Sequence, residues 1–155
     1  MWHLLLSTSV FMGDFFIKKN REQTLQPEKD YLNGHVKIMT YHNHGAFLNA
    51  GEKYPAAVKW ISLALTGFIF LIFILTATTR GNGMLRLGLS MLLGGAFSNT
   101  YDRIKKGYVT DYLNFPKAPR FLSTIVFNIS DFFILTGAML SVLGIKSIQK
   151  NGNLV

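Results

Sequence analysis

Asp131 lies in an otherwise uncharged apolar run, LSTIVFNISDFFILTGAMLSVLGI. A charged side chain near a bilayer centre costs at least about 2.5–3.5 kcal/mol on insertion scales. Asp131 therefore has to be protonated, paired or turned toward water. Asn128 stands three residues before it, a spacing that puts both on one face of a helix. A buried hydrogen bond between helices would account for that polar face. So would a reaction site, because an acid inside a membrane is where proton chemistry is expected. Asp111, in GYVTDYLNF, is a weaker candidate on its own. A solvated acid or a turn residue is the ordinary alternative. Its neighbours Val109, Tyr112, Leu113 and Phe115 are apolar, however, and desolvation at a membrane surface raises a carboxyl pKa.

Three further groups have chemistry-bearing residue types. Asn99, Asp102 and Arg103 are grouped so that Asp102 can accept from backbone N–H groups or pair with a base, a role in structure around a site. Asp14 and Lys18 have the i, i+4 spacing of a helix-end pair, and a local salt bridge explains them. His42 and His44 flank Asn43 and would share a face of a strand, but two histidines without a third ligand do not make a metal site. No metal and no cofactor are expected. The chain has no cysteine, which excludes a disulfide, a thiolate metal site and a thiol nucleophile. It has no GxSxG and no Gly-rich phosphate loop.

These residues need elements to hold them. A length of 155 residues suits one domain, taken as 1–155. Mean hydropathy is +0.25, and the apolar residues come in four blocks near 2–17, 57–78, 84–100 and 122–145. The first is short and contains Asp14; it lacks the basic start and small-x-small site of a signal peptide. The second and fourth are long enough to span a bilayer, which needs roughly 20 residues. The third holds Gly94-Gly95-Ala96, which lets another helix approach closely. The fourth places Asp131 near the middle of a helix. Between the first two blocks, Val36, Ile38, Thr40 and His42 mark a period of two, and a small β element over about 33–48 is predicted outside the membrane. The stretch 101–121 mixes charge with Tyr108, Tyr112 and Phe115 and is predicted as an interfacial loop or helix. The net charge of +8 is spread over the segments between blocks, which fits membrane lipid headgroups rather than nucleic acid. The predicted fold is therefore a membrane all-α protein, a four-transmembrane-helix bundle with a small β element.

The stretches GGAFSNTYDRIKKGYVTDYLNF and FNISDFFILTGAML together resemble signal peptidase II, the lipoprotein signal peptidase. Gly94, Gly95, Ala96, Asn99, Asp102 and Arg103 match its Gly-Gly-Ala-x-x-Asn-x-x-Asp-Arg stretch. Val109, Asp111 and Tyr112 match its Val-x-Asp-Phe/Tyr stretch, and Phe127, Asn128 and Asp131 match Phe-Asn-x-Ala-Asp. Asn43, Gly45 and Ala46 look like its Asn-x-Gly-Ala motif, and Asp14 with Lys18 like its Asp-Gln-x-x-Lys motif. The chain departs from the pattern at Phe15, Ser98, Ser130 and Phe132, and Phe47 arrives one position early.

The resemblance implies an aspartyl protease of the bacterial inner membrane that cuts prolipoproteins just before a diacylglyceryl-modified cysteine. Its catalytic pair falls on Asp111 and Asp131. Asn43, Gly45, Asn99, Asp102, Arg103 and Asn128 fall on the polar surround, with Asp14 and Lys18 in support. Two carboxyls brought close cannot both ionise cheaply, so one keeps a proton while the other acts as base toward water. The implied partners are a lipid-modified prolipoprotein and membrane lipids, and a monomer is expected. The implied topology puts both termini in the cytoplasm and the site at the outer face. Counting lysines and arginines gives the opposite orientation, because the two loops that carry the site are the more basic. The resemblance is followed here, and the departures point to a divergent member. Two rivals share the sequence features: a non-catalytic lipopeptide-binding paralogue and a small proton-linked transporter.

Overall fold

A computed structural model describes residues 2–24, 27–46, 50–77 and 83–152. Helix α1 (Trp2–Thr24) buries His3, Ser7, Val10, Asp14, Lys18 and Arg21, one stripe at helical spacing. Every member but Val10 is polar, while Trp2, Leu4, Leu5, Phe16 and Ile17 point outward and exposed. That inverts the pattern of a helix on a water-soluble core and suits a helix whose outer face meets lipid.

Helix α2 (Pro55–Ala77) opens on proline, whose fixed φ and missing N–H suit a first helical position. Helix α3 (Gly83–Lys105) is the central element and packs against α1 and α2. The short α4 (Arg120–Ser123) and the long α5 (Ile129–Gly152) follow, and α5 also packs on α3. Among the described residues, two stretches are long and apolar enough to cross a membrane, Pro55–Thr76 with mean hydropathy 2.3 and Ile129–Ser147 with 1.5. The predicted close approach at Gly94-Gly95 is present. A Cβ on Gly94 would lie 2.6 Å from the Ser7 carbonyl oxygen of α1, and one on Gly95 would lie 2.6 Å from that of Ser130 on α5. Backbone-to-backbone contact of this kind fixes the depth at which each helix presents its side chains.

Strands β1 (Lys29–Tyr31), β2 (Val36–Asn43), β3 (Val109–Asn114) and β4 (Val126–Phe127) form one antiparallel sheet in that order. The first two are joined by a tight turn in which Leu32, Asn33 and Gly34 all have positive φ. The β element predicted near 33–48 is thus β2, an inner strand between β1 and β3, and residues 47–49, including Phe47, lie outside the described residues.

The structure corrects the predicted elements in three places. Helix α1 runs to Thr24 and α3 to Lys105, beyond the blocks that end at 17 and 100; Lys18 and Asp102 in these extensions are buried and paired rather than left to solvent. Residues 109–114, expected as interfacial loop or helix, are the inner strand β3. The block 122–145 is not one helix. Val126–Phe127 pair with Leu113–Asn114, and α5 starts only at Ile129. Asp131 therefore stands in the first turn of α5 and not near the middle of a helix.

Candidate active site

Asn128 caps α5 and does so reciprocally with Asp131. The Asp131 backbone N–H donates to Asn128 Oδ1 at 3.1 Å, and the Asn128 backbone N–H donates to Asp131 Oδ2 at 2.9 Å. This is a capping box, with Asn at the cap and Asp three positions on. The spacing of three seen in the sequence reflects this arrangement rather than a shared helical face. The same Asn128 side chain donates through Nδ2 to Asp111 Oδ1 at 2.6 Å. One fully buried residue thus holds both aspartates.

Each carboxyl has one more amide donor. Asn99 Nδ2, from α3, donates to Asp131 Oδ1 at 2.9 Å. Asn43 Nδ2, at the end of β2, donates to Asp111 Oδ2 at 3.0 Å. Tyr41 is the residue paired with Asp111 across the sheet, so Asn43 is two residues on and reaches it diagonally. Asn43 Oδ1 is fixed in turn by the Gly45 N–H at 2.9 Å. Arg103 donates to the Gly45 carbonyl at 2.8 Å, tying the residues after β2 to the end of α3. The strand places Asp111 outside the helices, 2% exposed. Burial, and next the nearby charge of Asp131, push its carboxyl up to about 7.

Asn43, Asn99, Arg103, Asp111 and Asp131 all line one cavity of about 350 Å3. Its remaining wall is largely apolar, with Leu65 and Ile69 from α2 and Ile134 and Leu135 from α5. A cavity of that volume and lining suits a chain carrying apolar groups.

Asp14, Lys18 and Asp102 do not line this cavity. They form a buried network behind it, more than the local salt bridge expected of Asp14 and Lys18. Lys18, 1% exposed, reaches Asp14 at 2.6 Å and Asp102 at 3.3 Å. It also donates to Asn99 Oδ1 at 2.8 Å, and this contact turns the Asn99 NH2 toward Asp131. Asp102 pairs as well with Lys106 at 2.9 Å and accepts the Thr110 N–H of β3 at 3.3 Å.

Several residues of this network have no role assigned to them by the sequence. The Ser98 and Ser130 hydroxyls each donate to Asp14 Oδ2 at 2.6 Å, so two of the departures from the family pattern converge on one carboxylate. Glu22 joins Lys106 at 3.3 Å and accepts from Thr110, docking the end of α1 on the back of the sheet. Their sequence signal was slight: a serine directly before Asn99, another directly before Asp131, and one acid among basic residues. Tyr112, expected in an interfacial loop or helix, is 4% exposed and instead donates to Asp14 Oδ1 at 2.8 Å while accepting the Ile129 N–H. Another departure, Phe132, packs with Phe115 and Phe127 at centroid distances of 6.2 and 5.7 Å. His42 stacks on Tyr108 at 4.1 Å, and His44 meets the same ring edge-on at 5.6 Å.

Known proteins resemble this chain over most of its length. A lipoprotein signal peptidase of Halothermothrix orenii is 35% identical over 118 residues, 74% of each chain. One of Caldanaerobacter subterraneus subsp. tengcongensis is 32% identical over 151 residues, 96% of this chain and 97% of its own. A bacterial membrane enzyme solved by the in meso method at 2.3 Å resolution shares the fold with a TM-score of 0.79 at 19% identity, over 96% of this chain and 90% of that one. The family model described as signal peptidase (SPase) II matches residues 6–146. By that match across nearly all of its elements, the chain belongs to the signal peptidase II family.

Proposed function

We propose that this protein is an aspartyl endopeptidase that removes signal peptides from prolipoproteins, cutting before a diacylglyceryl-modified cysteine, with Asp111 and Asp131 as its catalytic pair. The observation that carries this reading is Asn128, which holds both carboxyls at the wall of one apolar cavity. Asp131 accepts a backbone N–H in the first turn of α5, where the helix dipole favours negative charge. It is the base that takes a proton from water. Asp111 carries a proton near neutral pH, polarises the scissile carbonyl and then protonates the leaving amine. Asn99 and Asn43 hold the two carboxyls in place. Arg103 and Gly45 hold Asn43, and Asp14, Lys18 and Asp102 hold Asn99 and β3 from behind. No step calls for a metal or cofactor.

The whole chain, 1–155, acts as one domain and as a monomer in the bacterial inner membrane, with α1, α2, α3 and α5 as four spans. A helix of 23 residues is about 35 Å long, enough for a hydrocarbon layer of about 30 Å. Both termini lie in the cytoplasm. A reporter fused to the C-terminus should be active only if it is a type that works in the cytoplasm, and activity of an exported-type reporter there would overturn the orientation. Purified protein should convert a lipidated precursor to a faster-migrating product on a gel. A precursor left intact would count against the protease and for the lipopeptide-binding alternative.

The pH profile follows from Asp111. Its neutral form is the required one, and that form is lost as pH rises through about 7. kcat/KM should therefore fall about tenfold per pH unit on the alkaline side. A profile flat from pH 6 to 9, on a chemistry-limited substrate, would contradict the proton assignment.

A further inference from the structure

A peptide that spans a membrane keeps its backbone N–H and C=O groups paired within a helix. The bond to be cut has to leave that helix, and the groups it frees need partners in a low-dielectric cavity. Most polar groups on the cavity wall are already engaged. The two aspartates are bonded to asparagines, and Arg103 donates to the Gly45 and Asn99 carbonyls. Besides Arg103 Nε, three hydroxyl residues remain, Ser62 and Thr66 on α2 and Thr100 on α3, all lining the cavity.

Their proton inventory leaves capacity over. Thr66 and Thr100 share one hydrogen bond at 2.8 Å, and Thr100 leans on the Ser62 carbonyl at 3.4 Å. That uses both threonine protons and leaves lone pairs on Thr66 Oγ1. The Ser62 hydroxyl takes part in no hydrogen bond among the described residues and can both donate and accept. A clip between α2 and α3 explains the threonine pair but not Ser62. Residues i and i+4 on a helix lie about 6 Å apart, close to the roughly 6.6 Å spanned by two residues of an extended chain. Ser62 and Thr66 are therefore spaced to meet backbone groups two residues apart.

Building on the peptidase reading, we propose that Ser62, Thr66 and Thr100 form a hydroxyl ladder that hydrogen-bonds the backbone of the unwound peptide beside the scissile bond. The ladder is a positioning element and touches none of the reacting atoms. It gives an apolar cavity a preference for an extended over a helical segment without reading side chains.

The test separates this inference from the peptidase reading by measuring binding and cleavage independently. Affinity for a lipidated precursor peptide is measured on Asp111→Asn protein in nanodiscs, and kcat and KM on protein with Asp111 intact. Ser62→Ala and Thr66→Val should each weaken binding about three- to tenfold, the value of one hydrogen bond, with KM rising to match and kcat little changed. Thr66→Ser keeps the hydroxyl and should bind like the unsubstituted protein. Unchanged affinity in both Ser62→Ala and Thr66→Val would overturn the ladder, as would equal loss in Thr66→Ser and Thr66→Val. Absence of cleavage with the binding differences intact would instead count against the peptidase reading and leave the ladder supported.

Discussion

Asp131→Asn should lose about 10³–10⁴-fold in kcat/KM on a lipidated precursor, and Asp111→Asn a similar amount. An amide at 131 cannot take a proton from water, and an amide at 111 cannot give one to the leaving amine. Neither loss should come from unfolding. Asparagine keeps the shape of aspartate, and one oxygen still accepts from a neighbour. At 131 the new NH2 faces a donor in either orientation, Asn99 Nδ2 or the Asn128 N–H. At 111 it faces Asn43 Nδ2 or Asn128 Nδ2. One donor left unpaired costs about 1–3 kcal/mol, which a folded bundle can bear. Precursor binding and the melting transition should thus persist in both variants while the gel shift disappears. A variant at either position that cleaves at the normal rate would remove that residue from the pair.

The residues of this site were more legible in the sequence than the elements that hold them. Gly94 and Gly95 announced a close helix approach because small side chains leave a pattern that does not depend on context. The start of α5 was hidden because Val126 and Phe127 are as apolar as the helix after them, and hydropathy does not distinguish a strand from a helix in so short a run. Only the cap at Asn128 marks the boundary. Strand β3 was hidden for a different reason. A strand with one wet face alternates, but nearly every residue of VTDYLN is buried. Asp111 faces the cavity while Thr110 and Tyr112 bond to Glu22 and Asp14 of α1, so both faces carry polar residues and no period of two appears. The role of Ser98 and Ser130 needed three dimensions, since they lie 32 residues apart and meet only at Asp14.

Lys18→Met should be the most damaging single change to stability. Methionine keeps the length of the side chain and removes the ammonium that compensates Asp14 and part of Asp102. Removing one partner from a buried pair costs about 3–5 kcal/mol, because the other charge stays behind. The melting temperature should drop by on the order of 10 °C. Asp14→Asn in the same protein removes the orphaned charge, keeps an oxygen to accept from the hydroxyls of Ser98, Ser130 and Tyr112, and should recover part of that loss. It should not recover activity. The Asn99 carbonyl loses its lysine in both proteins, so its amide is free to turn away from Asp131. Stability and activity are thus expected to separate in the double variant: melting above that of Lys18→Met alone, with kcat no higher. If the double variant regained both, Lys18 would be no more than half of a structural ion pair, and the orientation of Asn99 would have to come from elsewhere.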